Sequence, residues 1–284
     1  MKSVVASFLL LALLGAEPPQ AAGADVQRDT ALVEGRRIAR MLLGQRPTAD
    51  ASVSGSIHIR PRGGKAREIP FRSSVTVGGN DWKTVYETEA IEGTPAVRLT
   101  IRHTSNVVAE FFVQDLEADG TFGEAVRLTW AEAFRPFVGS DFRIIDLAYP
   151  HSDHLTWPTQ RLLSRDIRRG QSCHQLESVN PTPAKGGFAK VISWIDIDTG
   201  GPLEITGYDL SGDKLLQFSP KRFRKVNGEF KVTELHISNR QTRSRTVLRL
   251  VYGKPESEKE AAKAVESRRS ALNARADALL NPKD

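Results

Sequence analysis

The densest run of chemically capable side chains is His151-Ser152-Asp153-His154, two imidazoles and a carboxylate within four residues. A zinc site needs three or four ligands converging from a rigid frame, usually with further His or Cys from elsewhere in the chain. The other histidines are dispersed among strand-like segments, so the run reads as a polar loop and no metal is expected. Cys173-His174 places a thiol beside a base. Adjacent strand residues point to opposite faces, so these two side chains diverge and do not form a nucleophile–base pair. Cys173 is read instead as a buried structural residue; as the only cysteine it cannot close an internal disulfide. No G-x-S-x-G elbow, P-loop or dinucleotide fingerprint occurs, and the glycine pairs fall in hairpin turns. The expectation is a protein that is not an enzyme and takes no cofactor.

Binding chemistry then rests on the elements that would hold it, beginning with where the chain is sent. Met1-Lys2-Ser3 is a charged start, Val4 to Leu14 an apolar run, and Ala22-Gly23-Ala24 a small-residue cleavage site before Asp25. This order describes a secretory signal peptide over residues 1–24, its apolar run too short for the roughly 20 residues of a membrane-spanning helix. Cleavage after Ala24 leaves about 260 residues, enough to bury the core of one large β domain. No cysteine follows the apolar run, so no lipid attachment is expected, and the mature chain is read as free in the periplasm. The formal charge of +6 favours acidic partners such as anionic lipid head groups and allows peripheral membrane contact. Nucleic-acid binding is not expected, because the chain is exported and its basic residues are scattered.

From Asp25 to Leu43 the pattern is helical, with Leu32, Ile38, Met41 and Leu42 on one face, and Gly44 and Pro47 end it. From Ala51 the period becomes two: Val53, Ile57 and Ile59 alternate with polar residues, and after Arg62-Gly63-Gly64-Lys65 so do Ile69, Phe71, Val75 and Val77. Further strands are predicted over Trp82 to Glu89, Ala96 to His103, Val107 to Gln114 and Ala125 to Trp130. Between Phe134 and Arg169 alternation fails. Ser140 or Asp141 looks like a helix N-cap, Trp157 to Arg168 reads as an irregular excursion or second short helix, and the block is expected to pack on the sheet as a lid or plug.

The clearest punctuation follows. Strands over Ser172 to Ser178, Phe188 to Asp196, Leu203 to Leu210, Lys214 to Val226, Glu229 to Ser238 and Ser244 to Tyr252 are separated by turn sequences rich in Gly and Asn. Tight turns force sequence neighbours to pair, and a twisted sheet of roughly ten strands curls, giving a mainly β fold with a half-open barrel. After Pro255 the chain turns to Ala, Glu, Lys and Arg, a charged helical tail over 254–284 behind a β domain at 25–253.

Several segments resemble the LolA-like outer-membrane lipoprotein-sorting proteins: Phe137-Val138-Gly139-Ser140-Asp141-Phe142 to Asp146-Leu147, Cys173-His174-Gln175-Leu176-Glu177-Ser178, Ser193-Trp194-Ile195-Asp196, Tyr208-Asp209-x-x-Gly212, and Ile237-Ser238-Asn239 to Thr246. The resemblance is most specific over Phe137 to Leu250. It implies a periplasmic incomplete barrel whose helices cover a cavity for acyl chains, working beside an inner-membrane transporter. Cavity and lid candidates are Ile57, Ile59, Phe71, Val75, Leu99, Ile101, Phe111, Phe142, Ile145 and Trp194. Alternation places the strand candidates on shared faces without deciding whether the face is filled or hollow, and Trp194 reads as a core anchor or a cavity wall. Two functions follow: a carrier for lipoprotein acyl chains or another apolar lipid-like ligand, or an envelope interaction or sensor module that docks on a membrane transporter or regulator. An envelope hydrolase lacks the assembled groups it would need.

Overall fold

The computed structural model describes residues 21–104, 109–148, 152–185, 187–226 and 229–252. The hydrophobic run of the expected signal peptide and the 254–284 tail lie outside them. A helix α1 (Ala21–Leu43) precedes six strands: β1 (Ala51–Arg60), β2 (Arg67–Val77), β3 (Asp81–Thr88), β4 (Val97–Thr104), β5 (Glu110–Asp115) and β6 (Val126–Arg127). Four short 3-10 turns follow, at Glu132–Phe134, Phe137–Gly139, Ile144–Ala148 and Asp153–Thr156. Seven strands complete the chain: β7 (Thr159–Arg168), β8 (Gln171–Val179), β9 (Lys190–Asp196), β10 (Pro202–Tyr208), β11 (Lys214–Val226), β12 (Glu229–Asn239) and β13 (Ser244–Val251).

All thirteen strands form one antiparallel sheet in the order β6-β5-β4-β3-β2-β1-β13-β12-β11-β10-β9-β8-β7. The hairpin turns account for every neighbour except one: β1 and β13 pair at the centre, with Ile57 opposite Leu248 and Ile59 opposite Thr246. Strands β6 and β7 are therefore the two edges, and the sheet is not closed into a barrel. The segment between them must travel from one edge to the other. It does so across the inner face, where Phe137, Phe142, Ile144, Ile145 and Ala148 are buried against Ile57, Ile59, Ile69, Leu99, Ile101, Phe111 and Ile237. This segment is the plug expected from the loss of alternation.

In place of the helix expected to start at Ser140 or Asp141 there is a five-residue 3-10 turn, Ile144–Ala148. Val138 and Gly139 both take positive φ (45° and 71°), which folds the chain back on itself so that the Phe137 N–H reaches the Phe142 carbonyl at 2.7 Å. Asp141 then caps nothing; its carboxylate accepts from Ser244 Oγ and, at 2.9 Å, from Thr246 Oγ1, stapling the plug to β13.

The reading of Trp157 to Arg168 as an excursion or helix is corrected by β7. Adjacent Leu162 and Leu163 spoil the period of two, because a bulge between Leu162 and Ser164 shifts the register, and as an edge strand β7 leaves Leu163 and Ile167 exposed. Helix α1 lies on β7 and β8 over a second core of Ile38, Ala39, Leu42, Leu155, Leu176 and Ile195. Its buried stripe runs through Gly35, Ile38, Ala39 and Leu42, while Met41, expected on that face, is exposed. Gly35 sits so close to β7 that a Cβ there would overlap the Gln160 carbonyl oxygen, so glycine sets how near the helix comes.

Candidate functional site

The plug covers only part of the inner face. Beside Leu147 a cleft of about 390 Å³ opens between the plug, the chain leaving α1 and the centre of the sheet. Strand register builds its floor: Val53 opposes Ser73, Ser73 opposes Tyr86, Val75 opposes Thr84, and Leu235 opposes Leu248. Phe71, Trp82 and Leu250 complete the apolar lining, and Gln45, Arg46, Ser73, Thr84 and His103 add polar atoms. Gly55, between Phe71 and Leu250 in register, contributes no side chain; a Cβ there would crowd Phe71 Cε1 at 2.8 Å. Trp82 and His103 stack with ring centres 4.6 Å apart. Tyr86 ties plug to sheet, its hydroxyl donating to the Leu147 carbonyl at 3.4 Å, and burial pushes its pKa up to about 12, so it stays a neutral donor.

Of the ten residues singled out in the sequence, Phe71 and Val75 line this cleft. Ile57, Ile59, Leu99, Ile101, Phe111, Phe142 and Ile145 are packed in the filled core beneath and within the plug. Trp194 is on the opposite face of β9 from the core residue Ile195, half-buried beneath the Arg168 guanidinium 5.1 Å from its ring, with Arg168 also bonded to Glu204 at 2.8 Å. It is neither a core anchor nor a cleft wall. Sequence reasoning missed Trp82, Tyr86, Leu147, Leu235, Leu248 and Leu250 as lining. Their alternation was legible, but which stretch of the face the plug leaves bare depends on where an irregular segment stops.

The polar candidates are placed differently from their sequence reading. Ser152, Asp153 and His154 are buried where the plug meets α1, not in a surface loop, and His151 lies outside the described residues. Arg143 and Asp146 form an ion pair at 2.6 Å, with the guanidinium 5.2 Å from the Phe134 ring and 4.6 Å from that of Phe188. Beside them a space of about 50 Å³ is bounded by Ser152, His154, Phe188, Phe218 and Ile237. Burial, then the Arg143 charge, pushes the His154 pKa down to about 4, and burial raises that of Asp153. Among the described residues no three His, Cys, Asp or Glu side chains are grouped to hold a metal. Cys173 and His174 lie on opposite faces of β8, opposing Asp196 and Ile195, and burial raises the thiol's pKa, the reverse of what a nucleophile needs.

Comparison with solved structures gives this arrangement a context. A domain described as an outer-membrane lipoprotein-sorting protein, from Vibrio parahaemolyticus, superposes with a TM-score of 0.61 at 19% identity, covering 79% of this chain and 94% of that one. The chain has the fold of the lipoprotein-sorting proteins. A DUF1329 family protein from Desulfovibrio piger has the same fold, with a TM-score of 0.62 at 18% identity over 78% of this chain and 91% of its own. A LolA superfamily protein from Nitrosomonas europaea matches at a TM-score of 0.47 and 14% identity, over 79% of this chain and 91% of that one. A family model whose description reads only "Uncharacterized protein" matches residues 121–258, a span that begins just before the plug and includes β7 to β13. No curated protein sequence matches the chain.

Proposed function

We propose that this chain is a periplasmic, non-catalytic carrier or binding protein for an acyl chain or another apolar lipid-like ligand, which it holds in the cleft beside Leu147. The observation that carries the reading is that the plug leaves bare an apolar stretch of an otherwise covered face. At about 390 Å³ the cleft is within the range of small-molecule sites. An acyl chain gains roughly 0.8 kcal/mol for each buried CH₂ and needs no directional partner, which suits a lining of Val53, Phe71, Val75, Trp82, Leu235, Leu248 and Leu250. Gln45 and Arg46 stand at the cleft where they can meet a head group. The relative from Vibrio parahaemolyticus, described as a lipoprotein-sorting domain, is consistent with this use of the fold. In this reading residues 1–24 direct export and are removed before Asp25, residues 25–253 form the carrier domain, the tail at 254–284 is an appendage, and a membrane transporter is a partner. Native mass spectrometry of protein purified from its own cell envelope tests it. A co-purifying lipid mass, displaced by added fatty acid, is expected; an empty protein that takes up no fatty acid under the same conditions would reject the carrier reading.

A further inference from the structure

The far ends of β11 and β12 take no part in the cleft. Strand β11 pairs with β10 only over Lys214 to Phe218, and β12 pairs with β13 only over Glu234 to Asn239. Beyond those limits Phe223 to Val226 pair with Glu229 to Val232 and with no other strand. At about 3.3 Å per residue the four pairs make a ribbon roughly 13 Å long, flanked on the β13 side only at its base, where the Tyr252 hydroxyl donates to the Val232 carbonyl at 3.0 Å. A lone two-stranded ribbon is marginal in water, and nothing in the fold requires it to carry large apolar groups.

It carries two phenylalanines. Phe223 is 48% exposed and Phe230 76%, the most exposed large apolar side chain among the described residues. Phe223 opposes Val232 and Lys225 opposes Phe230, so these four side chains share one face of the ribbon. Besides Lys225, Arg224 and Lys231 oppose each other on the other face of the ribbon, and Lys221 and Arg222 stand at its base. Residues 221–234 hold these five basic residues against Glu229 and Glu234, a net +3, half of the whole chain's +6. Glu234 already serves Arg222 at 3.6 Å, Arg249 at 3.9 Å and His236. Basic charge that looked scattered along the sequence is thus concentrated where the fold projects aromatic rings.

We propose that this ribbon docks the protein on an anionic phospholipid surface. Phe223 and Phe230 enter the boundary between head groups and acyl chains, where aromatic rings settle, while the basic side chains meet the lipid phosphates. An apolar protein groove would satisfy the rings but not the charge. The proposal goes beyond the carrier reading, because docking requires nothing of the cleft.

The test is sedimentation of the full exported protein with vesicles of phosphatidylglycerol and phosphatidylcholine, or of phosphatidylcholine alone. Binding to the anionic vesicles is expected to be at least about tenfold tighter and to weaken in about 0.5 M salt. Phe223→Ser with Phe230→Ser should lose about tenfold at low salt, and Arg224→Glu with Lys225→Glu should abolish the preference for anionic lipid. Acyl-probe binding in the cleft, measured in parallel, should be unchanged by either pair, which separates a docking defect from misfolding and from failure of the carrier reading. Equal binding of wild type to both vesicles, binding to neither, or wild-type binding by the double Phe variant would overturn the proposal. So would sedimentation that an acidic protein, and no vesicle, supports.

Discussion

The two halves of the sheet are covered in different ways, and the contrast explains where a cavity is found. Strands β7 and β8 are covered by α1, a regular element whose Gly35 lets its backbone rest almost on the Gln160 carbonyl, so that Ile38, Ala39 and Leu42 pack directly on Leu176 and Ile195. The half around β1 to β5, β12 and β13 is covered by 3-10 turns that have no repeating face. They fill the inner surface well at Phe137, Phe142 and Ile145 and leave the cleft bare beside Leu147. A helix closes a surface along its whole length, whereas an irregular segment closes it residue by residue.

The sharpest way to break this contrast is at Phe142. Its ring meets Phe218 edge-on at 6.4 Å within the filled part of the plug. Phe142→Ala should cost about 4 kcal/mol, read by chemical denaturation, because it empties packed core and does not merely open a lid. A destabilisation below about 1 kcal/mol would mean that the plug is a loose cover throughout.

The junction of the two halves is pH-sensitive. The fold keeps His154 neutral down to about pH 4, whereas the unfolded chain takes up its proton near 6.5, so the unfolded state binds more protons between those values. The His154 contribution is therefore full above about pH 6.5 and is lost as the pH falls toward 4, amounting to about 3 kcal/mol over that window. Replacing His154 by Gln should flatten the fall in stability from pH 6.5 to 4, leaving a residual slope from His58, His174 and His236, whose burial also lowers their pKa values. An unchanged slope would show that His154 is not held neutral.

The smallest effect belongs to the helical half. Gly35→Ala should cost about 2 kcal/mol, since the added methyl group forces α1 off β7, and limited proteolysis should cut within 21–43 sooner. Strands β1 to β5 should be protected as in wild type. Simultaneous unfolding of both halves would show that they fold as one unit.

Much of this architecture was legible because it is periodic. Alternation and Gly/Asn turns place β11 at Lys214–Val226 to the residue and most other strands within two residues, and sequential pairing then gives nearly the whole strand order. Strand β7 was not legible, since a bulged edge strand needs no regular apolar face. The site was legible only in part for a related reason. Phe71 and Val75 share an alternating face with Ile57 and Leu99, and nothing in that pattern tells the bare positions from the covered ones. Trp194 misled because β9 is buried on both faces, so an aromatic there need not point inward.

The central claim is that the bare stretch beside Leu147 holds an apolar ligand, and the most direct measurement is titration of a fluorescent fatty-acid analogue into wild type, Leu147→Gln and Leu250→Gln. Both side chains line the cleft and are only partly buried, so the substitutions should leave thermal melting nearly unchanged. Saturable binding by wild type, weakened about tenfold or more by each substitution, is the predicted result, in line with roughly 1.5 kcal/mol or more for one apolar side chain no longer packed against the acyl chain. No saturable binding by wild type, or binding that neither substitution alters, would contradict the account.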